Sequence, residues 1–345
     1  MALDQPSRAE VGTDRRLAML DDCRAAAIGL IVGFHLLFLG HGRMTVTRSV
    51  LGGLTDSGTM LFVLLAGFMF QWRSGNFVFH DFLRRKALTV FCPYALATFL
   101  LIFLRSLRDG EVLPGRLLKD WLLALPIGGA GEHLWFIPML AIFFFLAPLF
   151  LDVSRRQWFL PASLTLVLPL VLGRGHYFEI WKNTLFFLPF YLLGMAMAVH
   201  IVAVRARLRQ SWGWILVAAV GMSVALTRFP AQEWLQTIGK MVFCLMVLAL
   251  AARFSESLHQ TRSGPVLNLV SRCSFGIYLY HNSLIGQVFA PCYRRWLGWL
   301  EEGWQVLVLA AMTALCLGIL VLSLTAGRAI LRALGVRQTR FIIGC

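Results

Sequence analysis

Long apolar stretches recur from one end of the chain to the other, divided by short polar connections that carry most of the arginines. Each stretch approaches the ~20 mostly apolar residues that a helix needs to cross the hydrocarbon core of a bilayer. Candidate spans fall at about 23–40, 50–71, 87–104, 134–151, 157–173, 183–203, 211–227, 234–252, 266–290 and 304–327. Several are short, and the 157–173 segment contains Pro161 and Pro169. The pattern predicts an all-α fold, a polytopic transmembrane helix bundle with about ten spanning helices. Residues 105–133 form the longest connection, in which Trp121 to Pro126 suits a short re-entrant or interfacial helix. No internal repeat or low-complexity tract interrupts the series.

The same pattern divides the chain into an N-terminal tail (1–16), a transmembrane domain (17–327) and a basic C-terminal tail (328–345). The first apolar run is interrupted by Asp21, Asp22 and Arg24 and has no small-residue cleavage site behind it. It is therefore expected to remain as the first span rather than be removed as a signal peptide.

Composition agrees with the membrane reading. Charged residues make up 14% of the chain and hydrophobic residues 58%, with a mean hydropathy of +0.72. A soluble domain carries about 25% charged residues. The net charge of +15 does not point to nucleic acid, because the basic residues sit in loops between apolar runs rather than along one face of a soluble module. That placement suits anionic lipid headgroups as partners, and it sets topology. With the N-terminus placed in the cytoplasm, connections on the inner side carry 18 Lys and Arg against 11 on the outer side. Both termini are therefore expected inside. The seven cysteines are irregularly spaced and show neither a disulfide framework nor zinc-ligand spacing. No P-loop, dinucleotide-binding glycine motif, H-E-x-x-H or G-x-S-x-G occurs.

Ionisable groups inside spans are costly and often functional. Arg24 lies at the inner end of the first span and His35 in its outer half; Asp56 lies in the outer half of the second. Glu132 and His133 open the fourth from outside, and Lys240 lies in the outer half of the eighth. The ninth carries Arg272 toward the inside and His281 toward the outside, and Arg84, Arg85 and Lys86 mark the inner mouth of the third. Histidines and carboxylates thus collect outward and arginines inward. Arg24 and His35 are eleven residues apart, nearly three full turns, so they share a helix face at about 16.5 Å along the axis. An arginine can grip phosphate in a bidentate manner, and a histidine titrates near neutrality, as a general base should. Each residue also has a plainer reading. Arg24 can snorkel to headgroups, a histidine in a span can be a helix–helix hydrogen-bonding group, and the Arg84–Lys86 run can anchor the inner face. Lys240 is expected to pair with a carboxylate or snorkel. His41, His80, His176 and His259 fall in loops and carry no signal.

These residues resemble a known family, the acyltransferase family 3 membrane proteins. Leu20-Asp21-Asp22-Cys23-Arg24 followed by His35 is similar to its first-helix signature. Leu61 to Phe68 resembles its F-F-V-x-S-G-F segment, with Ala66 in place of the usual Ser. The run from Phe82 through Arg84 and Arg85 to Tyr94 resembles the basic stretch before the third helix. His133-Leu134-Trp135-Phe136-Ile137 and Ser274 to His281 resemble H-L-W-F-L and S-x-G-I-Y-L-x-H. Asp22 and Ala25 stand where the family usually has glycine. The resemblance covers roughly residues 17–325. It implies transfer of an acyl group, acetyl or succinyl, from acyl-CoA to a sugar hydroxyl of a surface polysaccharide, lipid-linked glycan or periplasmic glucan. The run Asn183 to Phe190 resembles members that succinylate periplasmic glucans.

On that reading His35 is the general base and Arg24, with Arg84 and Arg85, binds the CoA phosphates. Asp56 or Glu132 orients His35 or contacts the sugar, and His133, Trp135 and His281 line the acceptor end. Acyl-CoA is a cosubstrate, with no bound cofactor and no metal; membrane lipid, the glycan acceptor and partner proteins of polysaccharide assembly are the expected partners. Two rival readings use the same residues: a proton-coupled transporter or flippase, and a non-catalytic member of an assembly complex. The transporter reading favours paired broken helices in two related halves, which the sequence does not contain.

Overall fold

The structure, a computed structural model, describes residues 13–39, 46–176, 178–230, 232–297 and 302–345. The N-terminal tail expected over 1–16 thus lies mostly outside the described residues, as does His41. The described residues contain helices and no strands. Their order is α1 (Thr13–Leu37), α2 (Val46–Trp72), α3 (Phe79–Arg108), α4 (Pro114–Ala124), α5 (Phe136–Phe145), α6 (Ala147–Arg155) and α7 (Phe159–Leu172). There follow α8 (Ile180–Val199), α9 (Ile201–Arg228), α10 (Glu233–His259), α11 (Ser263–Leu284), α12 (Glu302–Ala333) and α13 (Arg340–Ile343). Helices are expected, because inside a bilayer every backbone N–H and C=O must be satisfied within its own segment.

Among the described residues six helices are long and apolar enough to cross a membrane: Thr47–Trp72 within α2, then α3, α8, α9, α10 and Val306–Ala333 within α12. The bent pair α5–α6 makes up to seven. This is fewer than the ten segments read from hydropathy, for identifiable reasons. The 134–151 stretch breaks at Leu146, before Pro148, into two helices inclined at 57°. The 157–173 stretch is a short apolar helix that tightens to 3₁₀ geometry over Leu164–Val167, just ahead of Pro169. α1 carries Asp21, Asp22 and Arg24 along an otherwise apolar stretch.

α1 is nonetheless the centre of the bundle. It packs against α2, α10, α11 and α12, and Cys23, Ala27, Ile28 and Val32 are fully buried. A helix surrounded by protein can carry charge that a lipid-facing helix cannot. α9 and α12 show the opposite pattern, with Trp214, Val217, Leu315 and Leu322 facing outward. α2 and α8 cross in close contact. A Cβ on Gly67 would lie 2.0 Å from the Tyr191 carbonyl oxygen, and one on Gly194 would lie 1.9 Å from that of Leu64. Glycine at both positions lets the two backbones touch.

The 105–133 connection does contain a helix, but it begins earlier than the Trp121–Pro126 stretch suggested. α4 starts at Pro114, after an extended Leu113, and the N–H that proline lacks there costs nothing. It is tied to α3 by the Trp121 Nε1–H donating to the Ala95 carbonyl at 2.9 Å and the Tyr94 hydroxyl donating to the Leu125 carbonyl at 2.7 Å. The turns after α4 then bring His133 into the interior, where it is 4% exposed. Of the Phe143–Phe145 run, Phe143 and Phe144 are core and Phe145 faces out.

Candidate functional site

His35 lies in the last turn of α1, His133 just before α5, and His281 near the end of α11. Packing brings the three imidazoles together. The His35 and His281 ring centroids are 5.0 Å apart, those of His133 and His281 4.8 Å, and those of His35 and His133 6.4 Å. Two of the rings have assignable tautomers, because a carbonyl oxygen can only accept a hydrogen bond. His281 Nδ1–H donates to the Tyr278 carbonyl at 2.8 Å, which leaves Nε2 with a buried lone pair and no partner. His133 Nε2–H donates to the Leu279 carbonyl at 3.1 Å, which leaves Nδ1 in the same state. Tyr278 closes the unit by donating its hydroxyl hydrogen to the His133 backbone carbonyl. Two rigidly held neutral imidazoles therefore stand beside His35, which itself is only half-buried.

His35 opens onto a cavity of about 260 Å³. Its polar walls are His35, His133, Asp56, Glu132 and Arg174; its apolar walls are Phe34, Phe38, Phe62, Trp135, Phe136 and Tyr278. His281, fully buried, stands behind this wall and does not line the cavity. Glu132 is exposed at the rim. A second cavity of about 220 Å³ shares Phe34, Phe38 and Asp56 and adds Gln236 and Lys240.

Asp56 is held by two cations from distant segments. Lys240 Nζ on α10 lies 2.6 Å from Oδ2, and Arg174, in the connection before α8, bonds Oδ1. The Arg174 guanidinium also stands 5.3 Å over the Trp135 ring, which stacks on Phe187. Asp56 therefore ties α2, α10 and the α7–α8 connection together at the cavity wall. The basic count along the chain offered no means of singling out Arg174, which reads as an ordinary loop arginine.

Arg24 lies at the other end of α1 and does not line the cavity. Its Nη1 approaches Asp21 Oδ1 and Ser271 Oγ, each at 3.5 Å, and the Ser271 hydroxyl donates to Asp21 at 2.7 Å. Arg84 and Arg85 are exposed on α3. Next to this network, Asp22 is buried and accepts hydrogen bonds from Ser255 Oγ and from His259 Nε2 at 2.9 Å. His259 had carried no signal in the sequence. It closes the last turn of α10 and ties α10 to the central helix. No group of three or more His, Cys, Asp or Glu among the described residues is arranged to hold a metal ion.

Residues 18–326 match a known protein family, acyltransferase family 3, described as an acyltransferase domain. The chain belongs to this family. No curated protein and no solved structure matches the chain. Membership and the run of apolar helices make the protein a membrane acyltransferase. In this acyltransferase the departure at Asp22 is compensated, since Ser255 and His259 satisfy its carboxylate. Ala66, another departure, is half-buried on α2 and does not line the cavity at His35.

Proposed function

We propose that this acyltransferase transfers an acyl group, acetyl or succinyl, from acyl-CoA to a hydroxyl of a glycan that is surface-bound, lipid-linked or periplasmic. It would do so in a bacterial inner membrane, with both termini in the cytoplasm. The observation that carries the reading is the layout of α1. His35 faces a cavity lined by aromatic rings at one end, and Arg24 lies beside Asp21 and Ser271 at the other. Helix rise puts about 16.5 Å between them. An extended pantetheine arm reaches across a gap of that order, so the donor's phosphates and its thioester occupy opposite ends of one helix.

The chemistry follows from the groups at the cavity. An acceptor hydroxyl hydrogen-bonds to the free nitrogen of neutral His35. As its oxygen attacks the thioester carbonyl, the proton passes to the imidazole. The tetrahedral intermediate collapses with loss of CoA thiolate, which recovers the proton from the imidazolium. The products are the sugar ester and CoA with a free thiol. His133 and His281, fixed by backbone carbonyls, hold the packing around His35. Trp135, Phe62 and Phe136 offer flat apolar faces to a sugar ring, with Asp56, Arg174 and Glu132 as polar contacts. The volume of about 260 Å³ lies just below the ~300–1,000 Å³ of small-ligand sites, which suits one sugar unit with the rest of the glycan outside.

Sided vesicles test the proposal. With labelled acyl-CoA confined to the cytoplasmic face, label is expected on glycan held at the opposite face. Release of CoA with no label on glycan would refute the acceptor assignment. Transfer that requires both substrates on the cytoplasmic face would refute the through-membrane arrangement. A proton-coupled carrier would move glycan without consuming acyl-CoA. The carrier reading is weakened by Asp56, since a carboxylate held by two cations is a poor proton carrier.

A further inference from the structure

The acyl transfer proposed above develops a negative charge on the thioester carbonyl oxygen. An active site lowers such a barrier with donors already aimed at the place where the charge appears. His35 receives the acceptor's proton at that moment, so the donor must be another group. The walls of the His35 cavity leave few candidates. The Thr55 hydroxyl donates to the Leu51 carbonyl at 2.7 Å, and His133 Nε2–H to the Leu279 carbonyl at 3.1 Å. The Tyr278 hydroxyl is engaged by the His133 carbonyl. Asp56 and Glu132 are carboxylates, which would repel an oxyanion. Thr59 and Trp135 offer neutral donors only. Among the described residues Arg174 is the one lysine or arginine that lines this cavity.

Arg174 is also held in place. Its Nη1 bonds Asp56 Oδ1, and its guanidinium stands 5.3 Å over the Trp135 ring and 6.0 Å over that of Phe187. The side chain remains 26% exposed, so the rest of the fork reaches the cavity. A carboxylate on a guanidinium ordinarily cancels its charge. Here Lys240 Nζ takes the other oxygen, Asp56 Oδ2, at 2.6 Å. The three groups therefore carry one net positive charge. Of the two cations, Lys240 lines the neighbouring cavity and Arg174 lines the one at His35.

We propose that Arg174 is a catalytic residue, the donor that stabilises the oxyanion of the tetrahedral intermediate. The assignment rests on the acyl-CoA reading above and gives Arg174 more than a contact to the sugar. The acceptor oxygen forms a C–O bond to the thioester carbon and passes its proton to His35. The carbonyl π pair becomes a lone pair on the carbonyl oxygen, which accepts hydrogen bonds from the free N–H groups of Arg174. On collapse that pair re-forms the carbonyl, the C–S bond breaks, and the thiolate takes the proton back from His35. Arg174 exchanges no proton. A planar fork fixed on an aromatic face suits the task better than an ammonium, which has no set direction.

The test is steady-state kinetics of the full-length protein in detergent, with acetyl-CoA or succinyl-CoA as donor. The acceptor is an extract of surface and periplasmic glycan or, separately, water alone. Arg174→Gln is expected to lower kcat about 10²–10³-fold with little change in either KM. Arg174→Lys keeps an ion pair to Asp56 and should lose roughly tenfold at a parental Tm, which keeps the test decisive if Arg174→Gln folds poorly. Methylguanidine should restore part of the lost kcat to Arg174→Ala, which damage to the fold would not allow. Water attacks the thioester through the same oxyanion, so CoA release without glycan should fall with transfer. A fall in transfer alone, or an acceptor KM that rises while kcat holds, would make Arg174 a sugar contact and overturn the proposal. A kcat near the parent's in both variants would overturn it too, and would leave the acyl-CoA reading standing. If the parent turns over neither donor, that reading falls and the proposal with it.

Discussion

Asp56→Asn is the substitution whose consequence the structure defines most closely. The Asp56 side chain is 11% exposed, Lys240 13% and Arg174 26%. The change keeps the shape of the carboxylate and removes its charge, so two largely buried cations lose their partner. Breaking a buried pair by removing one member costs about 3–5 kcal/mol. Lys240→Met is milder, because Asp56 keeps Arg174; the lost contact to a charged group costs about 1.5–3 kcal/mol. Once Asp56 is neutral, removing Lys240 relieves a stranded charge. The double variant should therefore fall short of the summed losses by roughly 1–3 kcal/mol. Thermal unfolding in detergent can be followed with a thiol-reactive dye. The buried Cys23, Cys244 and Cys316 report, after the exposed Cys92 and Cys292 are replaced by serine. The expected order of Tm is parent, then Lys240→Met, then Asp56→Asn and the double variant close together. Additive losses would refute the reasoning. So would Asp56→Asn with a parental Tm and a reduced kcat, which would make Asp56 a partner of His35 rather than a tie between helices.

Three further expectations can be tested separately. His35→Ala should lower turnover by about 10²–10⁴-fold at an unchanged Tm, while Arg24→Lys raises the KM for acyl-CoA and leaves the acceptor KM alone; near-normal turnover in His35→Ala would remove the general base. His259→Ala should lower the Tm clearly when Asp22 is present and little in an Asp22→Asn background, because its role is to satisfy that buried carboxylate; equal losses in both backgrounds would refute this. Cysteines introduced at Asp109 and at Arg337 should be labelled from opposite faces of sided vesicles, and labelling of both from one face would refute the proposed topology.

The sequence alone determined that this protein is a membrane-embedded helical bundle, because the cost of an unsatisfied peptide group in hydrocarbon leaves an apolar chain few alternatives. It also determined the relation of Arg24 to His35, since eleven residues on one helix fix both face and separation. The motif around His133 and the one ending at His281 were visible through their resemblance to the family's motifs. Tertiary structure decided the rest. Asp56 finds Arg174 and Lys240 across more than a hundred residues, and Asp22 finds Ser255 and His259 across still more. His259 and Arg174 looked like loop residues. Charge density drew attention to Arg84 and Arg85, which folding leaves exposed on α3, away from the cavity at His35. Hydropathy counted α1 as a span like the others, whereas packing placed it at the centre with its charges shielded from lipid. Local spacing sets which side chains share a helix face. Which faces then meet depends on crossing geometry, such as the Gly67–Gly194 contact, and no period along the chain encodes that.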